Sequence, residues 1–257
     1  MSVETAVAGG VAVVTLNEPA TRNALSPELV AALSETLRDV GARPDVGALV
    51  LHGGPRGFCS GMDTGWLGSV LEEPLQPRSF DAITHVYEVF ETLRSAPVPT
   101  ICALSGVAIG AGLNLALAAD LCVVTPDALL RSGFAAHGLH PGGGHLNSLS
   151  ASIGAYRAAA VGLFNVDMSG ADFASASGAV LMADDAAVLT EAKRLAERAG
   201  RDPELARHTT AALRLTRDLP PRAAADVERV RQLWSYGRRR YPEPSADRPG
   251  GPDHDRD

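Results

Sequence analysis

Short apolar runs alternate along the chain with stretches of helical period. Residues 3 to 16 alternate and then run apolar over Val11-Ala12-Val13-Val14-Thr15-Leu16, with Gly9-Gly10 between them, which predicts a hairpin. Ser26, Pro27 and Glu28 supply an N-cap and first turn. Leu29, Val30, Leu33 and Leu37 then share one face of a helix ending before Gly41. An apolar strand follows over 46–51. Residues 68 to 82, with Glu72-Glu73, Pro74 and Pro77, read as a mobile excursion of the kind that covers a binding site. A helix from Phe80 to Arg94 has Ile83, Val86, Val89, Phe90 and Leu93 on its apolar side. Its His85 and Tyr87 read as a surface histidine and a packed tyrosine.

The longest nearly uncharged stretch is Pro97 to Thr125, and its punctuation predicts strand, glycine turn, buried helix and strand. Ile101 to Leu104 ends in Ser105-Gly106. Gly110-Ala111-Gly112 opens an Ala/Leu run that closes at Asp120, before the apolar Leu121 to Val124. Small residues at a helix start let another backbone or a ligand come close. The first turn also carries unpaired N–H groups at the positive end of the helix dipole, where a developing oxyanion is stabilised. Tight core packing alone accounts for the same glycines.

Downstream, a short helix is expected around Phe134 to His137, then the turn Pro141-Gly142-Gly143-Gly144 and helix over 144–164. Val188, Leu189, Ala192, Leu195 and Ala196 mark an amphipathic helix over 186–199. A last helical region, Pro203 to Tyr236, is broken at Pro220-Pro221. From Pro242 onward Pro, Gly, Asp and Arg dominate, which predicts a disordered tail.

Composition narrows the function classes. At 257 residues the chain fits one large domain or two small ones, and 46% hydrophobic content fills a core. A net charge of −7 offers no general attraction to nucleic acid or membrane, and no apolar run reaches spanning length. An anionic substrate therefore needs a local basic patch. Cys59, Cys102 and Cys122 lie far apart in apolar segments, which predicts reduced, buried thiols in a cytoplasm. The N-terminus shows no basic leader followed by an apolar core, so no export signal is expected.

Three separated motifs, in order, resemble the crotonase (enoyl-CoA hydratase/isomerase) superfamily: Arg22-Asn23-Ala24-Leu25-Ser26, the segment Gly53 to Leu67 (GGPRGFCSGMDTGWL), and the Pro97–Thr125 core. The match spans Val11 to about Gly144, with a weaker echo to about Gly237. The resemblance implies an α/β fold: a crotonase-like ββα spiral over 1–185, a C-terminal α-helical oligomerisation region over 186–240, and the tail 241–257. It also implies a homotrimer or dimer of trimers, a place in fatty acid metabolism, and an acyl-CoA or enoyl-CoA substrate. No separate cofactor is expected, coenzyme A being part of the thioester.

By the same resemblance, Arg22 and Ala24 lie on a loop that holds coenzyme A, and Arg22 meets a phosphate. Ser60, Gly61, Met62 and Asp63 form the first oxyanion-hole segment, with the Met62 N–H as donor; Asp63 itself reads as a turn or cap residue. Gly110 and Ala111 form the second, with the Ala111 N–H as donor. Ser169 to Val180 resembles a loop-helix that ends in a strand.

Two positions depart from the family pattern. Asn114 stands where many hydratases of the family carry one catalytic glutamate, and Phe134 stands at the second. Hydration wants one group to activate water and another to protonate the α carbon; neither an amide nor a phenyl ring serves. Asn114 can orient water or hold an enolate oxygen, or simply bond within its helix. His137, one turn beyond Phe134, either enters the pocket as a base or packs as an ordinary histidine. Ser132 with His137 as a hydrolase dyad lacks a nucleophile-elbow signature. A metal held by His137 and His140 finds no acidic or cysteine ligand nearby.

Three functions stay open on this reading. One is a lyase or isomerase of the family working through a thioester enolate. Another is a non-catalytic acyl-CoA-binding protein. The third is a CoA-thioester or β-diketone hydrolase using His137.

Overall fold

The computed structural model describes residues 2–54 and 57–238. The hairpin is present as β1 (Val3–Ala8) and β2 (Val11–Leu16), followed by α1 (Pro27–Ala42) and β3 (Ala48–His52). Ser26 caps α1, its hydroxyl accepting the Leu29 N–H. Next come α2 (Thr64–Glu72) and α3 (Pro77–Arg94). The excursion expected over 68–82 is therefore helical except for a short connection. Asp63 accepts the Trp66 N–H and starts α2, and Pro77 starts α3. The two prolines read as loop signals thus stand at or near a helix start, where the missing N–H costs nothing.

The core stretch folds as β4 (Thr100–Leu104), β5 (Val107–Ile109), α4 (Ala111–Leu117) and β6 (Leu121–Val124). Strand β7 (Leu129–Arg131) precedes a short 3-10 turn, Ala135–His137, and then α5 (His145–Ile153) and α6 (Ala155–Phe164), which meet at Gly154. The rest is β8 (Met168–Ser169), α7 (Gly170–Ser177), β9 (Val180–Leu181), α8 (Asp185–Gly200), α9 (Pro203–Thr216) and α10 (Pro221–Arg238). None of the described helices is long and apolar enough to cross a membrane.

Among the described residues the strands form a six-stranded sheet in the order β1-β2-β3-β4-β6-β9 and a three-stranded sheet, β5-β7-β8. The large sheet is parallel apart from the β1–β2 hairpin. Every residue of β3 and β4 is buried, because both faces of the sheet are covered. Leu49, Leu51, Cys102 and Leu104 point into the main core with α1, α3 and α4. The alternate residues Ala48, Val50, Ile101 and Ala103 pack against Val188, Ala192 and Ala196 of α8. Helix α8 packs on the sheet within a compact unit that runs from residue 1 to Ala211. Arg207 of α9 donates to the carbonyls of Gly41, Arg43 and Val46 within that unit. The second unit begins at Ala212, and the tail expected from 241 lies outside the described residues.

Helix α4 approaches the segment carrying Cys59 backbone to backbone. A Cβ on Gly112 would stand 2.3 Å from the Cys59 carbonyl oxygen, with backbone on the other side of the contact. Gly112→Ala is accordingly expected to cost about 2–3 kcal/mol by overpacking. Urea unfolding measures it, and a change under 0.5 kcal/mol would contradict the contact.

Candidate active site

Arg22 and Asn23 both adopt positive φ, an unusual turn for non-glycine residues. Asn23 is buried, and its amide donates to the carbonyls of Gly53, Gly57 and Phe58 while its oxygen accepts the Glu18 N–H. The amide nitrogen holds the backbone at Gly53, Gly57 and Phe58 and the oxygen ties it to Glu18, so Asn23 shapes the site from behind. Arg22 is exposed, and its carbonyl accepts the Ser60 N–H at 3.0 Å. Ser60 Oγ in turn donates to the Thr21 carbonyl. Ala24, half-buried, precedes Leu25, which pairs in parallel with Met62.

That pairing orients the Met62 amide. The Leu25 N–H donates to Gly61 O at 2.7 Å, and the Leu25 carbonyl accepts the Asp63 N–H at 3.0 Å. Backbone groups alternate sides along an extended strand, so the Met62 N–H points away from Leu25. Gly61 abuts Ile109–Ala111: at φ +100°, its Cβ position would fall 2.8 Å from Ile109 O and 3.9 Å from Ala111 N. Ala111 is the first residue of α4, where an N–H has no acceptor within the helix. Neither the Met62 nor the Ala111 N–H donates to a backbone carbonyl of a described residue. Two free donors thus stand on adjoining segments.

Gly110, with φ 53°, donates to Arg131 O and accepts the Asn114 N–H. Asn114, one turn into α4, is 2% exposed. Its Nδ2 donates to Gly142 O at 2.9 Å, so its Oδ1 faces the other way, 2.6 Å from His145 Nδ1. Since Oδ1 can only accept, His145 Nδ1 carries the proton and Nε2 is the open base nitrogen. That nitrogen accepts from Ser132 Oγ at 2.9 Å. The result is a chain, Ser132–His145–Asn114–Gly142, in which each polar atom has a defined role.

Phe134 packs edge-on to the His145 ring with centroids 5.0 Å apart. From the other side, Tyr87 and Phe90 of α3 reach Gly142 and Gly143. His145 is 1% exposed, and burial pushes its pKa down to about 4, so the ring is neutral near pH 7. The Cys59 thiol, buried behind this region and donating to Asn23 O, is pushed up to about 12 by the same cause.

His137 lies elsewhere. It ends the short turn after Phe134 with an exposed side chain, and the imidazole that meets Asn114 is that of His145. His140 is also exposed and bonds the Pro141 carbonyl through its ring. Phe134 is the N-cap of this one-turn helix and lies outside it, while His137 is its last residue, next to the left-handed Gly138, and faces solvent. His145 carried a legible signal: with Leu149 and Ile153 it forms an i, i+4, i+8 stripe, all buried on α5. A histidine on an apolar stripe is a buried imidazole that needs partners. His85, exposed, instead helps line a cavity of about 330 Å³ with Val30, Trp66 and Glu88.

The burial of neutral His145 sets a pH dependence. Its folded pKa of about 4 lies below the ordinary value of 6.5, so between these pH values the unfolded chain binds the extra proton. Stability from this group is full above pH 6.5 and is lost as pH falls toward 4. Between pH 7 and 4.5 the loss amounts to about 2–3 kcal/mol at ~1.4 kcal/mol per pKa unit. His145→Gln is expected to flatten that part of the pH slope in urea unfolding. An identical slope in the variant would contradict the assignment.

Comparison with known proteins places the chain. Residues 6–234 match the family model described as enoyl-CoA hydratase/isomerase. A protein of Mycobacterium tuberculosis named as a probable enoyl-CoA hydratase is 38% identical over 175 residues, 68% of this chain and 67% of its own length. A peroxisomal relative of Arabidopsis thaliana, named in the same way, is 32% identical over 190 residues, covering 74% of this chain and 69% of its own. The crystal structure of an enoyl-CoA hydratase from Polaromonas superposes with a TM-score of 0.83 at 26% identity, over 92% of each chain. The strand-and-helix turns described above are thus those of the ββα spiral, and the chain belongs to the enoyl-CoA hydratase/isomerase family.

Proposed function

We propose that the protein binds an acyl- or enoyl-CoA thioester and stabilises its enolate through the N–H groups of Met62 and Ala111. The observation that carries this reading is the pair of free donors on adjoining segments, one at the start of a helix. A thioester carbonyl held there gains most when negative charge develops on its oxygen, which is the condition for lowering a barrier. On this reading the exposed Arg22, whose carbonyl holds the Ser60 N–H, meets a coenzyme A phosphate. Phe134 and Ala111 supply apolar walls.

Ordinary hydration does not fit this site. The Asn114 side chain is spent on Gly142 and His145, and Phe134 has no proton to give. A non-catalytic acyl-CoA-binding role is the second reading, favoured by the same observation.

Titration with crotonyl-CoA, followed by calorimetry and by enoyl-thioester absorbance, tests the proposal. Saturable binding with no hydrated product by mass is expected; rapid hydration would show that another group activates water. Ala111→Pro removes one donor at a helix position that tolerates proline. It is expected to weaken the thioester roughly fivefold, the worth of about 1 kcal/mol for one hydrogen bond, and to leave free coenzyme A unaffected. Equal weakening of both ligands would count against a carbonyl at Ala111.

A further inference from the structure

The buried chain Ser132–His145–Asn114 has the parts of a nucleophile, a base and an orienting group. Ser132 Oγ is 2.9 Å from His145 Nε2, and His145 Nδ1 is 2.6 Å from Asn114 Oδ1. The Gly142 carbonyl fixes the amide of Asn114, and through it the imidazole tautomer that leaves Nε2 free to take a proton. An amide holds the imidazole in Cys-His-Asn arrays, where it orients the ring without supplying a carboxylate's charge. The three side chains are 1–2% exposed, so the array is shielded from bulk water.

Its position matters as much as its geometry. Gly110 N–H donates to Arg131 O at 3.0 Å, and Ser132 follows directly. The Ser132 carbonyl lies 3.5 Å from where a Cβ on Gly110 would be. The residue bearing the hydroxyl therefore packs on the residue that precedes the Ala111 donor. Asn114 at the far end of the array is on the same helix as Ala111. Nucleophile and oxyanion donors on touching segments are the arrangement that acyl transfer requires. Phe134 packs on the His145 ring, so the array meets apolar surface as well as its own polar partners.

We propose that Ser132 is an acyl-accepting nucleophile, activated by His145 and Asn114, and that the protein hydrolyses saturated acyl-CoA thioesters. The inference rests on the reading that the thioester carbonyl is held by Met62 and Ala111. Ser132 Oγ attacks the carbonyl carbon as its proton passes to His145 Nε2, and the carbonyl electron pair moves onto the oxygen held by the two N–H groups. Collapse breaks the C–S bond, and the proton on Nε2 goes to the departing sulfur, giving an acyl ester of Ser132 and free coenzyme A. Water then attacks the ester carbonyl, giving its proton to Nε2. Ser132 Oγ leaves and takes that proton back. The sum is thioester plus water giving carboxylic acid plus coenzyme A, with no oxidant or reductant.

The test uses butyryl-CoA and octanoyl-CoA, which cannot be hydrated, with the full-length protein. Binding is followed by calorimetry, coenzyme A release by a thiol reagent, and the acyl adduct by peptide mass. The expected result is coenzyme A release by the native protein and at least a 100-fold loss in Ser132→Ala with binding retained. In Ser132→Cys, which keeps the fold's hydrogen-bonding shape, an acyl group is expected to be trapped at residue 132 even if the alanine variant fails to fold. Binding without release, release unchanged in Ser132→Ala, or no adduct on the cysteine variant would each overturn the inference and leave the carbonyl site standing. Failure of both thioesters to bind the native protein would overturn the two readings together.

Discussion

The approach of the first turn of α4 to the segment around Cys59 to Met62 is the constraint on which the site depends. Two backbones meet there at a distance that leaves no room for a Cβ at Gly112 and little at Gly61. Helix starts and strand ends ordinarily leave their orphan N–H groups to water or to caps. Here the close approach sets two of them, from residues 49 positions apart in sequence (111 − 62), on adjoining segments. The rest of the architecture serves that approach. The buried sheet pairs β4 with β6, which precede and follow α4 in the chain, and Asn23 fixes the loop leading to Cys59.

Around this fixed backbone feature stands a connected set of neutral side chains. An amide and a phenyl ring occupy the two carboxylate positions implied by the family pattern, and a buried histidine connects them. Asn114 bonds His145 directly, and Phe134 packs on the same ring. A neutral imidazole is the ionisation state in which such a group accepts a proton, and burial enforces it. The polar array thus replaces charge with oriented neutral groups in a part of the core where an unpaired carboxylate would be costly.

Much of the fold was legible in the chain because its elements have strong local signals. The runs over β2, β3, β4 and β6 are continuous rather than alternating, as strands buried on both faces must be. Ser26-Pro27 and Asp63 mark helix starts that the structure shows as caps. The short strands β5 and β7 were not legible, being three residues each and defined by pairing with each other. The helical character of 68–82 was masked by prolines whose helix-start meaning depends on what surrounds them. At the site, the two donor positions are what the family resemblance implies, while the side-chain partner of Asn114 had no such pointer. His145 directly follows the Pro-Gly turn and His137 lies four residues before it, and the buried stripe on α5 marks the imidazole that turns inward.

The central claim is that a thioester carbonyl sits between the Met62 and Ala111 N–H groups. Isotope-edited infrared spectroscopy of a saturated acyl-CoA labelled with carbon-13 at the carbonyl addresses it directly. Two converging donors polarise the bond, so the labelled stretch is expected to move to lower frequency on binding, and to move back part of the way in Ala111→Pro. A bound ligand whose carbonyl stretch matches that of the free thioester in water, or stays the same in the variant, would contradict the account.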